Sequence, residues 1–340
     1  MLDRIIQRLI LTARVALTGR VSLANRDEIP AITPEEVGEA KAFFPLDKFF
    51  VFGHARSGTT LLTRLIRRHP DVHCNYQGHF FTREPTMQGL VDRHDVEAWF
   101  TRHSNRWNRG RDLSPVVLRA AIDFIMEREA RPLGVSVVGD KSPNSLLNGE
   151  AVRLMHKLYP DGKLIFIVRD GRDAAVSHRF QTFIDATQHL TRRDWAIRAA
   201  FKRKSDPFMR GERSIFTKRG IRTAAEGWAA NVTETDRLGR EIYGGQYLSL
   251  RYEDLLASPW EQMCRLWELL NVDVARQDLR ALLDAELDRN PDAKWQQHKA
   301  GDLVEPLQKG KTGSWRELFT PRDRDVFDEI AGDALAAWGY

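Results

Sequence analysis

The stretch that decides the fold is Gly53-His-Ala-Arg-Ser-Gly-Thr-Thr60. It follows the apolar run Phe49–Phe52 and precedes a helix-like segment that stops before Pro70. A strand, a glycine-containing loop and a helix in this order form a phosphate-binding loop, because backbone N–H groups and the helix dipole attract an anion at the helix N-terminus. The stretch therefore predicts a phosphorylated ligand after the first strand.

The position of the cation separates this loop from that of the nucleoside triphosphatases. Both have the spacing G-x-x-x-x-G, but the triphosphatases continue with Lys and then Ser or Thr. Here Thr59 and Thr60 follow, and the cation is Arg56, inside the loop. A nucleotide kinase or triphosphatase is therefore only the alternative function. An enzyme of this alternative class needs the lysine, which is missing here, and an acid that binds magnesium. Asp170 is only a weak match for that acid.

Four short apolar segments predict buried strands that alternate with longer helix-like segments; they span residues 49–52, 135–138, 164–168 and 247–250. Such alternation indicates an α/β fold, a P-loop-type parallel sheet with helices on both faces. Ligands of these sheets bind outside the carboxyl ends of the strands. The predicted site therefore comprises the residues that follow the four strands, 53–60, 139–144, 169–177 and 251–254.

The composition is that of a globular protein, with 42% hydrophobic and 29% charged residues among 340. We expect residues 1–47 to form an N-terminal amphipathic helix and a connector. Residues 48–340 are expected to form one domain with a basic helical excursion at about 181–225. The two cysteines, Cys74 and Cys264, give neither a disulfide framework nor a metal-ligand spacing. We expect a cytoplasmic protein without a metal.

The basic charge is concentrated between residues 189 and 222, which hold eleven Lys or Arg and three Asp or Glu. This surplus of eight, within a net charge of +5, leaves the rest of the chain acidic. A nucleic-acid partner is therefore not expected. The segment also contains aromatic residues, so it suits an acceptor-side lid, a solvated face over buried rings, an anionic lipid contact or base stacking; they are Trp195, Phe201, Phe208 and Phe216.

Residues 1–20 combine arginines with apolar residues at helical spacing; the apolar ones are Leu2, Ile5, Ile6, Leu9, Ile10, Ala13 and Leu17. Arg4, Arg8 and Arg14 interrupt the apolar centre that a signal peptide would need. The pattern predicts an amphipathic helix. Such a helix either packs on the domain or a partner, or lies peripherally on a membrane surface.

Two further segments carry cations beside hydroxyl or small residues. Arg169 closes the third predicted strand, and Ser177 lies eight residues later in the next helix. A guanidinium fork and a hydroxyl in these places can hold one phosphate. Near the C-terminus, the loop Lys309-Gly-Lys-Thr-Gly-Ser-Trp315 suits closure over an anion. The first segment taken alone is equally compatible with a charged turn, and the second taken alone is more typical of a solvated surface turn.

Together these motifs resemble those of the sulfotransferases that use 3′-phosphoadenosine-5′-phosphosulfate (PAPS). The matching pieces follow the family's order over about 48–183 and 226–340; they are Arg56-Ser-Gly-Thr-Thr60, Arg169 with Ser177, Arg251-Tyr-Glu-Asp-Leu255 and Lys-Gly-x-x-Gly-x-Trp at 309–315. The continuation Leu61-Leu62 makes the first motif similar to that of the tyrosylprotein and carbohydrate branches.

The resemblance implies which residues bind the donor. Arg56, Ser57, Gly58, Thr59 and Thr60 would hold the 5′-phosphosulfate. The remaining donor contacts would come from Arg169 and Ser177 at the 3′-phosphate, Tyr252 near the adenine, and Lys309 with Gly310 closing over the 3′ side. Two positions depart from the family, since Leu61 replaces an aromatic residue of some members and Gln308 stands where Arg is frequent.

The implied reaction is in-line transfer of a sulfuryl group to an acceptor hydroxyl or amine, with adenosine 3′,5′-bisphosphate as the leaving group and no metal. Arg56 and Lys141 would stabilise the charge that develops on the leaving group. The acceptor would be a small molecule or the hydroxyl of a lipid, glycan or peptide. A third class of function is a non-catalytic nucleotide-binding adaptor.

The general base is where the chain departs from the family pattern. Branches with this loop carry a glutamate downstream of it, whereas this chain has Asn75-Tyr-Gln-Gly-His-Phe80. His79 is the first candidate for the base, because histidine titrates near neutral pH. Asp140, Glu84 and His54 are the alternatives.

Overall fold

Five strands form one sheet in the computed structural model of the protein: β1 (Asp47–Gly53), β2 (Val72–Tyr76), β3 (Val137–Lys141), β4 (Lys163–Val168) and β5 (Tyr247–Arg251). Their order across the sheet is β2-β3-β1-β4-β5, and all four neighbouring pairs are parallel. The structure describes residues 28–289, except 103, 105 and 109, residues 312–340, and scattered positions between 6 and 17.

Helices cover both faces of this sheet. Within the described ranges they are α1 (Pro34–Phe43), α2 (Thr59–Ile66), α3 (His94–Phe100), α4 (Ser114–Ala130), α5 (Glu150–Leu158), α6 (Gly171–Asp185), α7 (Arg192–Arg203), α8 (Asp206–Met209), α9 (Lys218–Leu238), α10 (Tyr252–Ala257), α11 (Pro259–Leu269), α12 (Leu279–Arg289), α13 (Trp315–Leu318) and α14 (Pro321–Ala337). The predicted α/β architecture, with a parallel sheet between two helical layers, is confirmed.

The alternation of side chains along β1 divides the core into two layers. Phe50 and Phe52 belong to the cluster that contains Leu118 of α4 and Trp228 of α9. Phe49 and Val51 belong to the opposite cluster, with Leu62 of α2 and Trp267 of α11. Because β1 is buried on both faces, its sequence is a continuous apolar run, as expected for a central parallel strand.

Two details of the sheet differ from the sequence-based prediction. β2 was not predicted, because its residues His73 and Asn75 break the apolar pattern that marks a buried strand. β3 was predicted at 135–138, but Asp140 and Lys141 are its last residues and pair with Phe50 and Val51 of β1. Lys141 therefore lies in a strand and not in the loop after it.

The basic excursion is packed on the domain through its aromatic side chains. Phe201, Phe208 and Phe216 are buried in the larger core cluster, and Phe201 contacts Phe180 of α6 edge to face. Only Trp195 among the four aromatic residues of this segment is exposed. The arrangement of the three phenylalanines corresponds to a solvated face over buried rings.

The predicted connector contains a folded element. α1 begins with a capping box between Thr33 and Glu36, and Ile29 and Ile32 before it are buried. The division of the chain at residue 47 stays a prediction.

The described positions of the N-terminal segment are helical. Four large apolar side chains there are exposed by 47% to 86%, namely Ile6, Leu9, Ile10 and Leu17, whereas Val15 is partly buried. Within the part of the chain that the structure describes, no helix combines the length and apolar character needed to cross a bilayer.

Candidate active site

The segments that follow β1, β3 and β4 meet at the carboxyl edge of the sheet. The segment after β3 crosses the end of β1, where Ser142 N donates to Val51 O over 3.1 Å and Asn144 N donates to Gly53 O over 2.8 Å. On the other side of β1, Gly53 pairs with Ile167 of β4. The parallel topology thus brings the predicted site segments together.

The loop between β1 and α2 has a fixed, unusual backbone. Arg56 and Gly58 both have left-handed φ values, 73° and 89°. Gly58 precedes the first turn of α2, and a Cβ atom at this position would lie 2.2 Å from Cδ2 of Tyr252. Only glycine satisfies both the backbone angle and the contact. The loop therefore presents the N-terminal amides of α2 next to the Tyr252 ring.

Three predicted donor-binding side chains converge on this loop. Arg56 Nε donates to Ser177 Oγ of α6 over 3.0 Å. Arg169 Nη1 donates to the backbone oxygen of Arg56 over 3.3 Å, and its guanidinium lies 5.0 Å from the centroid of the Tyr252 ring. The two guanidinium groups and the Ser177 hydroxyl thus line one polar place beside an aromatic ring.

Ser57 supplies an unsatisfied polar atom within the same loop. Its side chain is 0% exposed, and its hydroxyl oxygen has no hydrogen-bond partner among the described residues. A buried hydroxyl without a partner is costly, so such groups call for a ligand or an ordered water. Ser57 and Gly58, together with Thr59 and Thr60 at the start of α2, are therefore compatible with an anionic group in the loop.

Asp173, which was not singled out from the sequence, fixes the C-terminal segment to α6. Its carboxylate accepts hydrogen bonds from Gly313 N (2.6 Å), Ser314 Oγ (2.9 Å) and Trp315 N (3.1 Å). The only sequence signal for this role is its spacing, one helical turn before Ser177. The predicted residues Lys309 and Gly310 lie outside the described residues.

A cleft of about 320 Å³ flanks the site on the β5 side. Its walls include Arg172, whose guanidinium lies 3.9 Å from the centroid of Trp315 and pairs with Asp170. Tyr340 closes the cleft and donates from its hydroxyl to Glu253 Oε2 over 2.6 Å. The cleft is lined by Asp170, Arg172, Asp173, Arg251, Glu253, Thr312, Gly313, Trp315, Arg316, Gly339 and Tyr340.

Lys141 and Asp140 lie at the end of β3, on the other side of β1. The buried Lys141 ammonium lies 5.1 Å from the centroid of the Tyr76 ring. Asp140 is 2% exposed and accepts hydrogen bonds from Ser142 Oγ (2.6 Å) and Gly78 N (2.9 Å). Burial raises the pKa of Asp140 to about 6 against these bonds and the attraction of Lys141.

The four candidates for the general base have different surroundings. His79 is half-buried, and its Nδ1 lies 3.0 Å from Thr82 Oγ1. Desolvation lowers the pKa of His79, and the positive charges of Arg83 and Lys141 lower it further.

His54 and Glu84 are the other two candidates outside β3, and their hydrogen bonds differ from that of His79. His54 Nδ1 lies 3.1 Å from the carbonyl oxygen of Ala55, and desolvation lowers the pKa of His54 to about 4. Glu84 is exposed and accepts from Thr86 N over 3.3 Å. Both histidines are therefore neutral at neutral pH, which is the form that accepts a proton.

Among the residues that the structure describes, no cluster of three or more His, Cys, Asp or Glu side chains could hold a metal ion.

Comparison with known proteins identifies the family. Residues 48–276 match the model of the sulfotransferase family. A putative protein-tyrosine sulfotransferase of Caenorhabditis briggsae is 25% identical over 295 residues, which cover 86% of this chain and 88% of that protein. Heparan sulfate glucosamine 3-O-sulfotransferase 6 of Homo sapiens is 28% identical over 162 residues, or 47% of this chain and 37% of that protein.

Solved structures give a more distant match. Mouse sulfotransferase SULT7A1 in complex with PAP has a TM-score of 0.47 and 18% sequence identity, and the match covers 89% of this chain and 90% of that chain. The family match extends from β1 through the end of α11 and includes Arg56, Arg169 and Tyr252. The resemblance predicted from the motifs is thereby confirmed: the chain belongs to the sulfotransferase family.

Proposed function

We propose that the protein transfers a sulfuryl group from PAPS to an acceptor hydroxyl or amine and releases adenosine 3′,5′-bisphosphate. The observation that carries the proposal is the convergence of Arg56, Arg169 and Ser177 on the glycine loop beside the Tyr252 ring. Family membership gives the reaction class, and these side chains supply a binding place for a nucleotide with two anionic ends.

In this proposal, different residues of the chain bind the 3′-phosphate, the 5′ end and the base of the nucleotide. Arg169 and Ser177 bind the 3′-phosphate; Ser177 accepts from Arg56, so its own O–H stays available as a donor. Residues Arg56 to Thr60 bind the 5′ end through the helix N-terminus and the buried Ser57 hydroxyl. Tyr252 packs against the base.

Asp173 anchors residues 313–315, which follow Lys309 and Gly310 in the sequence. Gly313, Ser314 and Trp315 are bonded to α6 within one turn of Ser177. In the proposal, Lys309 and Gly310 bind the 3′ side of the nucleotide.

Arg56 and Lys141 act on the leaving group by charge. PAPS supplies the sulfuryl group, and its departure leaves negative charge on the phosphate oxygen of adenosine 3′,5′-bisphosphate. A guanidinium keeps its proton at any working pH, so Arg56 stabilises this charge electrostatically and not as an acid. A fixed cation that meets charge only as it develops lowers the barrier more than it strengthens binding.

His79 is the general base of the proposal. In the tautomer that carries its proton on Nδ1, His79 donates to Thr82 Oγ1, and Nε2 is left to accept the acceptor's proton. Asp140 is less suited because both of its oxygens already accept hydrogen bonds. Glu84 is exposed, and desolvation lowers the pKa of His54 to about 4, which makes His54 a weak proton acceptor, so both remain secondary candidates.

The acceptor is proposed to present a hydroxyl, on a small molecule, lipid, glycan or peptide. The relatives named above act, by their names, on protein tyrosine and on a heparan sulfate glucosamine. These groups have an oxygen nucleophile in common, and this shared chemistry is what we carry over to the present chain.

We also propose that a cytoplasmic form of the protein contacts membranes through residues 1–20. The exposure of Ile6, Leu9, Ile10 and Leu17 supports this over packing on the domain, because none of these described side chains is buried. Arginines between apolar residues suit a helix at an anionic lipid surface.

Thermal unfolding with two ligands tests the donor assignment. Adenosine 3′,5′-bisphosphate at about 100 times its Kd is expected to add about 2.7 kcal/mol of stability, whereas ATP with magnesium adds none. Stabilisation by ATP with magnesium alone would favour a kinase. Binding of the bisphosphate followed by no transfer from radiolabelled PAPS to any of a panel of phenols, alcohols and amines would favour the non-catalytic adaptor.

A further inference from the structure

The segment that carries His79 is fastened to the end of β3 by three successive backbone amides. Gln77 N donates to Lys141 O over 2.7 Å, Gly78 N donates to Asp140 Oδ1 over 2.9 Å, and His79 N donates to Ser142 Oγ over 2.8 Å. Each amide of residues 77–79 thus bonds to a different one of the three residues 140–142, which we call the β3 clamp.

The fastened segment has a backbone conformation that its residues do not favour alone. Gln77 and His79 have left-handed φ values of 58° and 48°, in which a side chain crowds the following carbonyl. Such residues persist where the surrounding structure over-determines them, and they are frequent at active sites. Gly78 between them leaves little room, since a Cβ atom there would lie 2.6 Å from the Phe80 ring.

Asp140 holds the clamp together through its side chain. One carboxylate oxygen binds the Gly78 amide directly, and the other accepts from Ser142 Oγ over 2.6 Å. The Ser142 hydroxyl proton therefore points to Asp140, and its oxygen lone pairs are directed to the His79 amide. Two of the three amides depend on this carboxylate, whereas the Gln77 amide uses a backbone oxygen.

The clamp also fixes His79 relative to Lys141. Tyr76, three residues before His79, pairs with Lys141 in the sheet, and the Gln77 amide continues this pairing to the Lys141 oxygen. The positions of His79 and Lys141 are therefore both fixed by the end of β3. Without the Asp140 and Ser142 bonds, the chain after Gln77 would relax from its left-handed turns, and the imidazole would shift.

We propose that Asp140, acting through Ser142, is a positioning residue that holds segment 77–79 in its left-handed conformation and so places His79 beside Lys141. This inference rests on the proposed function, because it assumes that His79 serves the reaction. It assigns Asp140 a role different from that of a base, since the carboxylate gives its lone pairs to protein donors and transfers no proton.

The first measurement follows the amides and does not need activity. Hydrogen–deuterium exchange of the peptide containing residues 77–79 is compared between the wild type, Asp140→Asn and Ser142→Ala. Loss of the clamp is expected to accelerate exchange by about tenfold or more, because these amides then open locally. Ser145→Ala is the matched control; this serine donates to Thr82 O nearby, outside the clamp, and should leave the exchange unchanged.

The second measurement separates positioning from chemistry. Asp140→Asn and Ser142→Ala are expected to lower turnover with radiolabelled PAPS by about 10- to 100-fold, a loss typical of a misplaced catalytic group, while bisphosphate affinity is retained. Gln77→Gly in the Asp140→Asn background should recover part of this loss, because glycine adopts the left-handed turn without the clamp. A missing proton acceptor would not be restored by a glycine at position 77.

The results distinguish a failure of this inference from a failure of the proposed function. Unchanged exchange in both clamp variants would overturn the inference, as would loss of turnover in Asp140→Asn that Gln77→Gly does not restore. Failure of the wild type to bind the bisphosphate or transfer from PAPS would instead overturn the proposed function, while the exchange data still report on the clamp. Ser142→Ala keeps the test open if Asp140→Asn does not fold.

Discussion

Arg56 Nε donates to Ser177 Oγ over 3.0 Å, although 121 positions of the chain separate the two residues. The bond joins the loop after β1 to the second turn of α6, so the proposed 5′ and 3′ contacts of the nucleotide are one connected unit. Substitutions at the two ends are expected to affect the same reaction at different steps, the chemical step at Arg56 and nucleotide binding at Ser177.

Removal of the Arg56 cation is expected to slow the chemical step. Arg56→Ala should lower kcat by about 10²- to 10³-fold, the range seen when a group that stabilises developing charge is removed. Single-turnover transfer from radiolabelled PAPS measures this effect without product release. Arg210→Ala, at an exposed arginine paired with Glu212, is the control and should react as the wild type. An Arg56→Ala variant at full rate would contradict the assigned role.

Ser177 is expected to distinguish nucleotides by their 3′-phosphate. Ser177→Ala should weaken binding of adenosine 3′,5′-bisphosphate by about tenfold, the equivalent of about 1.4 kcal/mol for a hydrogen bond to a charged group. Binding of AMP, which has no 3′-phosphate, should not change. Calorimetry with both ligands gives the comparison, and Thr182→Ala on the same helix is the control. If Ser177→Ala weakened the binding of AMP and of the bisphosphate equally, Ser177 would not contact the 3′-phosphate.

His79→Gln is expected to lose turnover and keep nucleotide binding. General-base catalysis contributes about 10²- to 10⁴-fold, so kcat should fall within this range. The stabilisation by adenosine 3′,5′-bisphosphate in thermal unfolding should equal that of the wild type. His189→Ala, an exposed histidine of the excursion, controls for loss of any imidazole. Unchanged turnover in His79→Gln would remove this residue from the mechanism.

The buried Asp140 carboxyl should make stability depend on pH. Because burial raises its pKa from 3.8 to about 6, the protonated form stabilises the folded state fully below pH 3.8, and this contribution is lost as the pH rises through 6. The two pKa values correspond to about 3 kcal/mol of unfolding free energy. Urea unfolding at about pH 4 and pH 7 should show the wild type losing up to this amount relative to Asp140→Asn. A difference independent of pH would contradict the shift.

Deletion of residues 1–20 is expected to abolish binding to anionic liposomes. The full chain should float with vesicles that contain phosphatidylserine and should float less with neutral vesicles, because arginines add attraction to an anionic surface. The truncated chain should keep the thermal shift with adenosine 3′,5′-bisphosphate. Undiminished flotation after truncation would refute the membrane contact and direct attention to the basic excursion.

The parts of the fold that could be predicted from the sequence are those written in local patterns. β1, β4 and the loop at Arg56 are adjacent residues with a strong apolar or glycine signal. β2 could not be predicted, because an edge strand with polar residues at His73 and Asn75 has no such signal. The end of β3 was missed since Asp140 and Lys141 look like loop residues until their partners in β1 are known.

The same distinction holds within the site. Arg169 and Ser177 were predicted because the strand and helix that carry them follow each other directly. The anchor at Asp173 and the β3 clamp depend on hydrogen bonds across 140 and 62 positions, respectively, which no local pattern encodes. Long-range contacts of this kind form only when the sheet order is set.

The strand order has a consequence for how such a protein can change during evolution. Arg169 and Tyr252 follow β4 and β5 on one side of β1, whereas Lys141 and His79 belong to β3 and to the segment after β2 on the other side. In the proposed mechanism, substitutions around His79 in the segment after β2 would therefore alter the acceptor side and spare the nucleotide contacts of Arg169 and Tyr252. A duplicated gene could in this way acquire a new acceptor by rebuilding the segment after β2, while Lys141 and the segments after β1, β4 and β5 are kept for the donor.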